Sequence, residues 1–281
     1  MINKVLYLGP KGSYSELAKN KFSACIFDNA CEFISEDSIN KIVRELIEVD
    51  SENIAAVFPI ENSIEGVVRE TQDSLLKLSE RGFRVLAEVK LSIEHSLIGF
   101  GQKENIKSIA SHPQALAQCK EFIFKNWVDG IQLEPVLSTS GAVQALQKHD
   151  FTRAAIASEY CANLYNVPIV ETNINDEDNN TTRFVLLSKL KPQKSSENKI
   201  SIVFSTENKS GALNSVLNVF EKYGLNMSYI DSRPSRKELG EYVFYVDFSG
   251  YIDDANVTQA LIEIQPLVKF FAVLSEGAIC V

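Results

Sequence analysis

Histidine and cysteine are scarce in this chain, and their spacing removes several chemistries at the outset. The histidines are His95, His112 and His149, and the five cysteines are Cys25, Cys31, Cys119, Cys161 and Cys280. No His-Glu-x-x-His, Cys-x-x-Cys or mixed cluster occurs among them, so no metal site is expected. An odd number of scattered cysteines fits reduced thiols in a cytosol rather than a disulfide framework, and Cys119 and Cys161 read as core filler. No apolar run approaches the roughly 20 residues of a membrane-spanning helix, and the opening Met1-Ile-Asn-Lys leads into a strand-like segment rather than a signal peptide. A cytoplasmic protein without a membrane partner is expected. Positive charge is short as well. With 28 Lys and Arg against 37 Asp and Glu, the formal net charge is -9, which opposes general affinity for nucleic acid. Any anionic ligand must be held by local groups.

What is present is the material of an ordinary globular protein. The chain has 281 residues, 45% hydrophobic and 23% charged, enough for about two domains with normal cores. From Lys4 to about Ser188, short β-branched runs alternate with helical patterns, as in an α/β domain with a largely parallel sheet. Strands are expected at Lys4–Leu8, Ile54–Phe58, Val85–Leu91, Ser108–Ala110, Ala154–Ala157 and Phe184–Ser188. Helices are expected at Tyr14–Phe22, Ser38–Val49, Glu70–Leu78, Pro113–Asn126, Gly141–His149 and Glu159–Tyr165. Lys189 to Lys199 is polar, without apolar periodicity, and reads as a linker. Beyond it the order is strand (Ile200–Ser205), helix (Gly211–Tyr223), strand (Met227–Ser232), strand (Glu241–Phe248), helix (Asp254–Val268) and strand (Phe270–Ser275). This is the ferredoxin-like βαββαβ arrangement. The domains are accordingly expected at 1–188 and 199–281.

Several segments of the first domain put small polar residues where strands end and helices begin, the edge of an open α/β sheet at which anions bind. Gly9-Pro-Lys-Gly-Ser-Tyr-Ser15 lacks the Gly-Lys-Ser/Thr of a nucleotide loop and is at most a small-anion loop, or a mere turn. Pro59-Ile-Glu-Asn-Ser-Ile-Glu-Gly66 sets Glu61, Asn62 and Ser63 on a connection, as functional groups or as helix caps. Ser111-His-Pro-Gln-Ala-Leu-Ala-Gln-Cys119 reads as a cap with proline in the first turn, and His112 either meets a ligand or completes the helix entry. Leu137-Ser-Thr-Ser-Gly-Ala142 is a second cap-rich entry. In Asn179-Asn-Thr-Thr-Arg-Phe184 a hydroxyl, a guanidinium and an aromatic ring follow one another, Thr182 and Phe184 on one side of a strand and Arg183 on the other. Together these features describe a cleft for a small carboxylate, without naming a reaction.

These segments, in this order, resemble those of prephenate dehydratases. Ser210-Gly-Ala-Leu213 and Asp231-Ser-Arg-Pro234 resemble the Gly-Ala-Leu and Glu-Ser-Arg-Pro motifs of the family's C-terminal ACT regulatory domain, with Asp231 one methylene shorter than the usual Glu. The resemblance implies an α/β fold with a two-lobed, periplasmic-binding-protein-like catalytic domain whose crossings lie near Val85–Leu91 and Val170–Ile174. It implies conversion of prephenate to phenylpyruvate, water and carbon dioxide in phenylalanine biosynthesis, without cofactor or metal. By the motifs, Thr182, Arg183, Ser13, Asn62 and Ser63 carry catalysis, with Thr182 at the leaving hydroxyl and Arg183 a candidate carboxylate clamp. Gly12, Glu61, Ser111, His112, Gln114, Ser138, Thr139 and Phe184 are implied to hold substrate. Gly211, Ala212, Leu213, Asp231 and Ser232 are implied to hold the effector L-phenylalanine at a subunit contact. An isolated βαββαβ sheet leaves a face and edges uncovered, so a homodimer or homotetramer paired through that domain is expected. Arogenate dehydratase and a non-catalytic sensor of aromatic metabolites are the rival readings.

Overall fold

The computed structural model describes residues 2–26, 31–192, 194, 198–235 and 241–280. Its first lobe begins with β1 (Lys4–Leu8), whose Val5, Leu6 and Tyr7 are buried, as a strand covered on both faces requires. There follow α1 (Tyr14–Ile26), β2 (Glu32–Glu36), α2 (Ile39–Val49), β3 (Ile54–Asn62), the short β4 (Gly66–Val67), α3 (Arg69–Ser79) and β5 (Arg84–Ser92). Helix α2 shows the local logic. Ser38 caps it by accepting from Lys41 N, Ile39, Ile42, Val43 and Leu46 are its buried stripe, and Asp50 closes it at φ 45°.

The chain crosses to a second lobe after Ser92. It contains β6 (Ser96–Gly99), β7 (Ser108–Ser111), α4 (Pro113–Ala117), α5 (Lys120–Asn126), β8 (Gln132–Pro135), α6 (Thr139–Gln144), β9 (Arg153–Ala157), α7 (Glu159–Tyr165) and β10 (Ile169–Glu171). Its sheet runs β10-β6-β9-β7-β8. The second crossing, 172–180, returns to β11 (Thr181–Ser188), which lies antiparallel between β3 and β5, while β1 pairs in parallel with β2 and β3. Two sheets joined by two crossings form the two-lobed, periplasmic-binding-protein-like architecture.

Two helices differ from expectation for physical reasons. The helix expected over 113–126 is broken between α4 and α5: Asp176 accepts from Glu121 N and Phe122 N and so caps a fresh helix start, while Cys119 leaves helical geometry at φ -123° and ψ 22°. The helix expected over 141–149 is α6, which starts earlier, because Ser138 caps it, and ends at Gln144.

Beyond the first lobe come β12 (Lys199–Ser205), α8 (Ala212–Lys222), β13 (Met227–Pro234), β14 (Tyr242–Ser249), α9 (Ala255–Ile264) and β15 (Phe270–Cys280). The antiparallel order β13-β14-β12-β15 is that of a ferredoxin-like βαββαβ unit. Ile200, Ile202, Phe204 and Phe248 pack under Val216, Phe220, Ala260 and Ile264 of the two helices. The opposite face is not bare. Val203, Tyr245 and Leu274 share a core with Ile60, Leu75, Val85 and Val185 of the first lobe. The end of β15 also pairs in parallel with β5, Ile279 opposite Ala87, joining the two sheets. The expectation of an uncovered face is corrected by this docking: the first lobe, not a second copy, covers it.

Candidate active site

Between the lobes lies a cleft of about 390 Å³, lined by Ser13, Asn62, His112, Gln114, Ser138, Thr139 and Thr182 among the residues expected there. Local structure accounts for each placement. Ser13 caps α1, its Oγ accepting from Glu16 N at 3.3 Å and donating to Leu8 O at 3.0 Å. Ser138 caps α6 by accepting from Gly141 N at 3.0 Å. His112, rather than Ser111, caps α4, its Nδ1 accepting from Gln114 N at 3.3 Å. Thr182 and Asn62 are directly opposite each other on β11 and β3.

The orientation of the polar groups on the cleft floor follows from two backbone donors. Ile64 N and Glu65 N reach Asn62 Oδ1 at 3.0 and 2.9 Å, so Asn62 must turn its amide nitrogen inward. That nitrogen donates to Thr182 Oγ1 at 2.9 Å and to Asn180 Oδ1 at 2.7 Å. Asn180 Nδ2 then donates to Gln118 Oε1 at 3.0 Å, and the same oxygen faces His95 Nε2 at 3.1 Å. His95 Nε2 therefore carries a proton, and Nδ1 carries a lone pair. Thr182, having accepted from Asn62, keeps its own proton to donate. Among the described residues, His95 Nδ1 and Gln118 Nε2 have no hydrogen-bond partner.

Tyr14, His95 and Gln118 line this cleft as well, and sequence reading did not select them; Asn180 lies beneath in the same chain of bonds. Their positions are far apart in sequence, and only the neighbouring Asn-rich turn before Thr182 hinted at Asn180. Burial holds His95 below its ordinary value of 6.5, a bond to Gln118 opposing the shift, which favours the neutral imidazole. Burial also pushes the Cys119 thiol up to about 12 and the Cys161 thiol to about 11, which removes both as nucleophiles near neutrality. The described residues contain no group of three His, Cys, Asp or Glu placed to hold a metal ion. Nor does a Lys or Arg line the cleft among them, whereas Glu65 does, so a ligand carboxylate there meets hydroxyl, amide and imidazole groups beside one acidic residue.

Other expected site residues stand elsewhere. Gly12 sits at the contact between lobes at φ +85°, where a Cβ would lie 2.6 Å from Ser140 Oγ. Its N–H donates to Glu16 Oε2 at 2.7 Å, so the loop does not offer it to an anion. Ser63 braces the turn against the return crossing, donating to Asn179 O and accepting from Thr181 N, each at 2.9 Å. Ser111 is fully buried and donates to Ile156 O at 2.6 Å. Phe184 packs with Tyr7, Phe22 and Val57 in the first-lobe core. Arg183 and Glu61 pair with each other at 3.3 Å, on the face of the strands that meets the second domain. The carboxylate-clamp expectation for Arg183 is corrected here: strand alternation turns its side chain away from Thr182.

In the second domain, Gly211 precedes α8 at φ +81° with open space where a Cβ would lie, Ala212 is buried, and Leu213 packs against the domain's core. Asp231 and Ser232 alternate along β13, Asp231 half-buried and Ser232 exposed. Asp231 lines a hollow with Arg69 and Asp73 of the first lobe, whereas Ala212 lines another with Lys209 and Pro266. Among the described residues, the two effector motifs line separate hollows of one chain.

Comparisons with known proteins agree with this architecture. The prephenate dehydratase family model matches residues 5–192 and the ACT domain model residues 200–265. A prephenate dehydratase of Methanocaldococcus jannaschii is 43% identical over 252 residues, covering 88% of this chain and 89% of the relative. A bifunctional chorismate mutase/prephenate dehydratase of Aquifex aeolicus is 34% identical over 273 residues, 96% of this chain and 72% of that one. The crystal structure of a prephenate dehydratase from Arthrobacter aurescens in complex with L-Phe superposes with a TM-score of 0.82 at 27% identity, covering 97% of this chain and 88% of that one. A match through the whole two-lobed unit, followed by an ACT domain, means that this chain belongs to the prephenate dehydratase family.

Proposed function

We propose that the cleft converts prephenate to phenylpyruvate, with Thr182 as the donor to the departing hydroxyl. In this reaction the ring carboxylate leaves as carbon dioxide and its bonding electrons enter the ring. The ring C–O bond breaks at the same time, and the departing hydroxide takes up one proton to become water. Aromatisation drives the change, so the protein need only hold the dianion and stabilise charge developing on the leaving oxygen. The observation that carries the reading is the Asn62 to Thr182 bond of 2.9 Å: it occupies a lone pair of Thr182 and aims the free proton at a ligand. Ser138, Thr139, His112 and Gln114 supply polar groups around the same space, where Ser13 also lies with its own proton committed to Leu8 O, and the lobe contact at Gly12 keeps the walls together.

Residues 1–188 are taken as the catalytic domain and 199–281 as the regulatory one, in a cytoplasmic enzyme. Phenylalanine, one transamination beyond phenylpyruvate, binds the second domain and lowers activity. Because the two effector motifs line separate hollows in one chain, a second copy in a homodimer or homotetramer completes that site. The experiment is side-by-side turnover of prephenate and arogenate, which differ by a ketone against an amino group. A higher kcat/KM for prephenate supports the reading, a higher value for arogenate makes the chain an arogenate dehydratase, and turnover of neither makes it a sensor.

A further inference from the structure

Arg183 lies next to Thr182, yet it serves the other face of the same strands. Thr182 faces Asn62 across the β11–β3 pair, and the next rung is Arg183 opposite Glu61. Side chains alternate along a strand, so the first rung looks into the cleft and the second into the contact with the second domain. There Arg183 Nη1 reaches Asp247 at 2.8 Å and Glu88 at 3.2 Å, and Nη2 reaches Glu61 at 3.3 Å. Lys199 Nζ stands 3.3 Å from both Glu88 and Asp247, and the ring of Tyr229 lies 5.8 Å from the guanidinium. Asp247, Lys199 and Tyr229 all belong to the second domain.

The centre of this cluster is nearly dry, with Arg183 9% and Asp247 6% exposed, while the side chain of Glu61 at its edge is 37% exposed. Burial works against the charge of each, but Asp247, Glu88 and Glu61 outweigh it for Arg183, while Arg183 and Lys199 hold Asp247 below its ordinary range. A buried ion cluster of this kind adds little stability over apolar packing, but losing one partner is costly because it leaves the others uncompensated. A shift of the second domain's sheet therefore cannot leave Arg183 in place. It either breaks the pairs of Arg183 or drags the Arg183–Glu61 rung, and in the second case Thr182 and Asn62, whose Cα atoms are tied to that rung at about 3.8 Å, are displaced with it.

We propose that Arg183 is a positioning residue, which couples the placement of the second domain, through Asp247 and Lys199, to the Thr182–Asn62 pair in the cleft. The inference rests on the reading of Thr182 and of phenylalanine regulation given above.

The test uses the full-length protein, with prephenate turnover assayed with and without phenylalanine and phenylalanine binding followed by calorimetry. Arg183→Met is expected to lower kcat roughly 10- to 100-fold, the scale set by small misplacements of catalytic groups, with KM within about twofold. Arg183→Lys should recover part of the loss. A raised KM with unchanged kcat would return Arg183 to the substrate and overturn the proposal, as would no change in either. Asp247→Asn, outside the cleft, should still bind phenylalanine while losing most of its inhibition. Full inhibition in that variant would also overturn it. If Asp247→Asn does not fold, Lys199→Met, at the rim of the cluster, provides the same comparison. Absence of phenylalanine binding to the wild-type protein would refute the regulatory reading, leaving the kcat against KM split in Arg183→Met to decide the positioning claim.

Discussion

Replacing Thr182 by valine removes one hydroxyl and keeps the branched shape, so its consequences can be worked through atom by atom. Thr182 is 8% exposed, and its Oγ1 accepts from Asn62 Nδ2 at 2.9 Å. In the variant Asn62 keeps Asn180 Oδ1 at 2.7 Å and both backbone donors on its own oxygen, so the amide stays in place and loses one acceptor. The folding cost is about 1 kcal/mol, the worth of a single internal hydrogen bond. The catalytic cost is larger. Loss of one preorganised donor to a developing oxyanion costs roughly 2.7 to 4 kcal/mol, or about 10² to 10³ in kcat. KM should stay within about threefold, because the lost bond strengthens only as the C–O bond breaks. Thr182→Ser restores the hydroxyl and should recover much of the rate. The assay is formation of phenylpyruvate by absorbance on protein whose thermal unfolding shows that it is folded. A Thr182→Val enzyme with kcat within about threefold of wild type would refute the role given to this hydroxyl.

Two further perturbations follow from geometry. Gly12→Ala should lower thermal stability by about 1 to 3 kcal/mol, because the residue is held at φ +85° and the new Cβ would sit 2.6 Å from Ser140 Oγ; an unchanged melting temperature would show that the lobe contact can yield. His95 is held below 6.5 by burial, with the Gln118 bond opposing. The unfolded chain therefore binds its proton more readily, and the stabilisation present above about pH 6.5 is lost as pH falls through the lower folded value. His95→Gln should flatten that part of the stability profile in chemical denaturation at a series of pH values, and an identical slope would remove His95 as its source.

The order of the polar segments made the family and the two-lobed fold legible, because each segment sits where a strand ends or a helix is capped and keeps its own local logic. Ser13, Ser138 and His112 are capping residues whose roles follow from neighbours within three residues. Alternation also placed Thr182 and Arg183 on opposite faces, although the motif had suggested that both meet the substrate. What could not be read was anything assembled over distance. His95, Gln118 and Asn180 meet only because both crossings pass the same cleft floor. Asp176 interrupts an otherwise periodic helix from the return crossing, 55 residues beyond Glu121. Asp247 lies 64 residues from Arg183, and no local pattern announces that the second domain docks on the first. Strands β2 and β8, short and largely exposed, lack the apolar alternation that would have marked them.

Turnover of prephenate in this cleft is tested by the product balance of the purified wild-type protein mixed with prephenate at neutral pH. Saturable, enzyme-dependent formation of phenylpyruvate with an equal amount of carbon dioxide is expected, abolished for the most part in Thr182→Val. Folded protein that binds prephenate but releases neither product would contradict it.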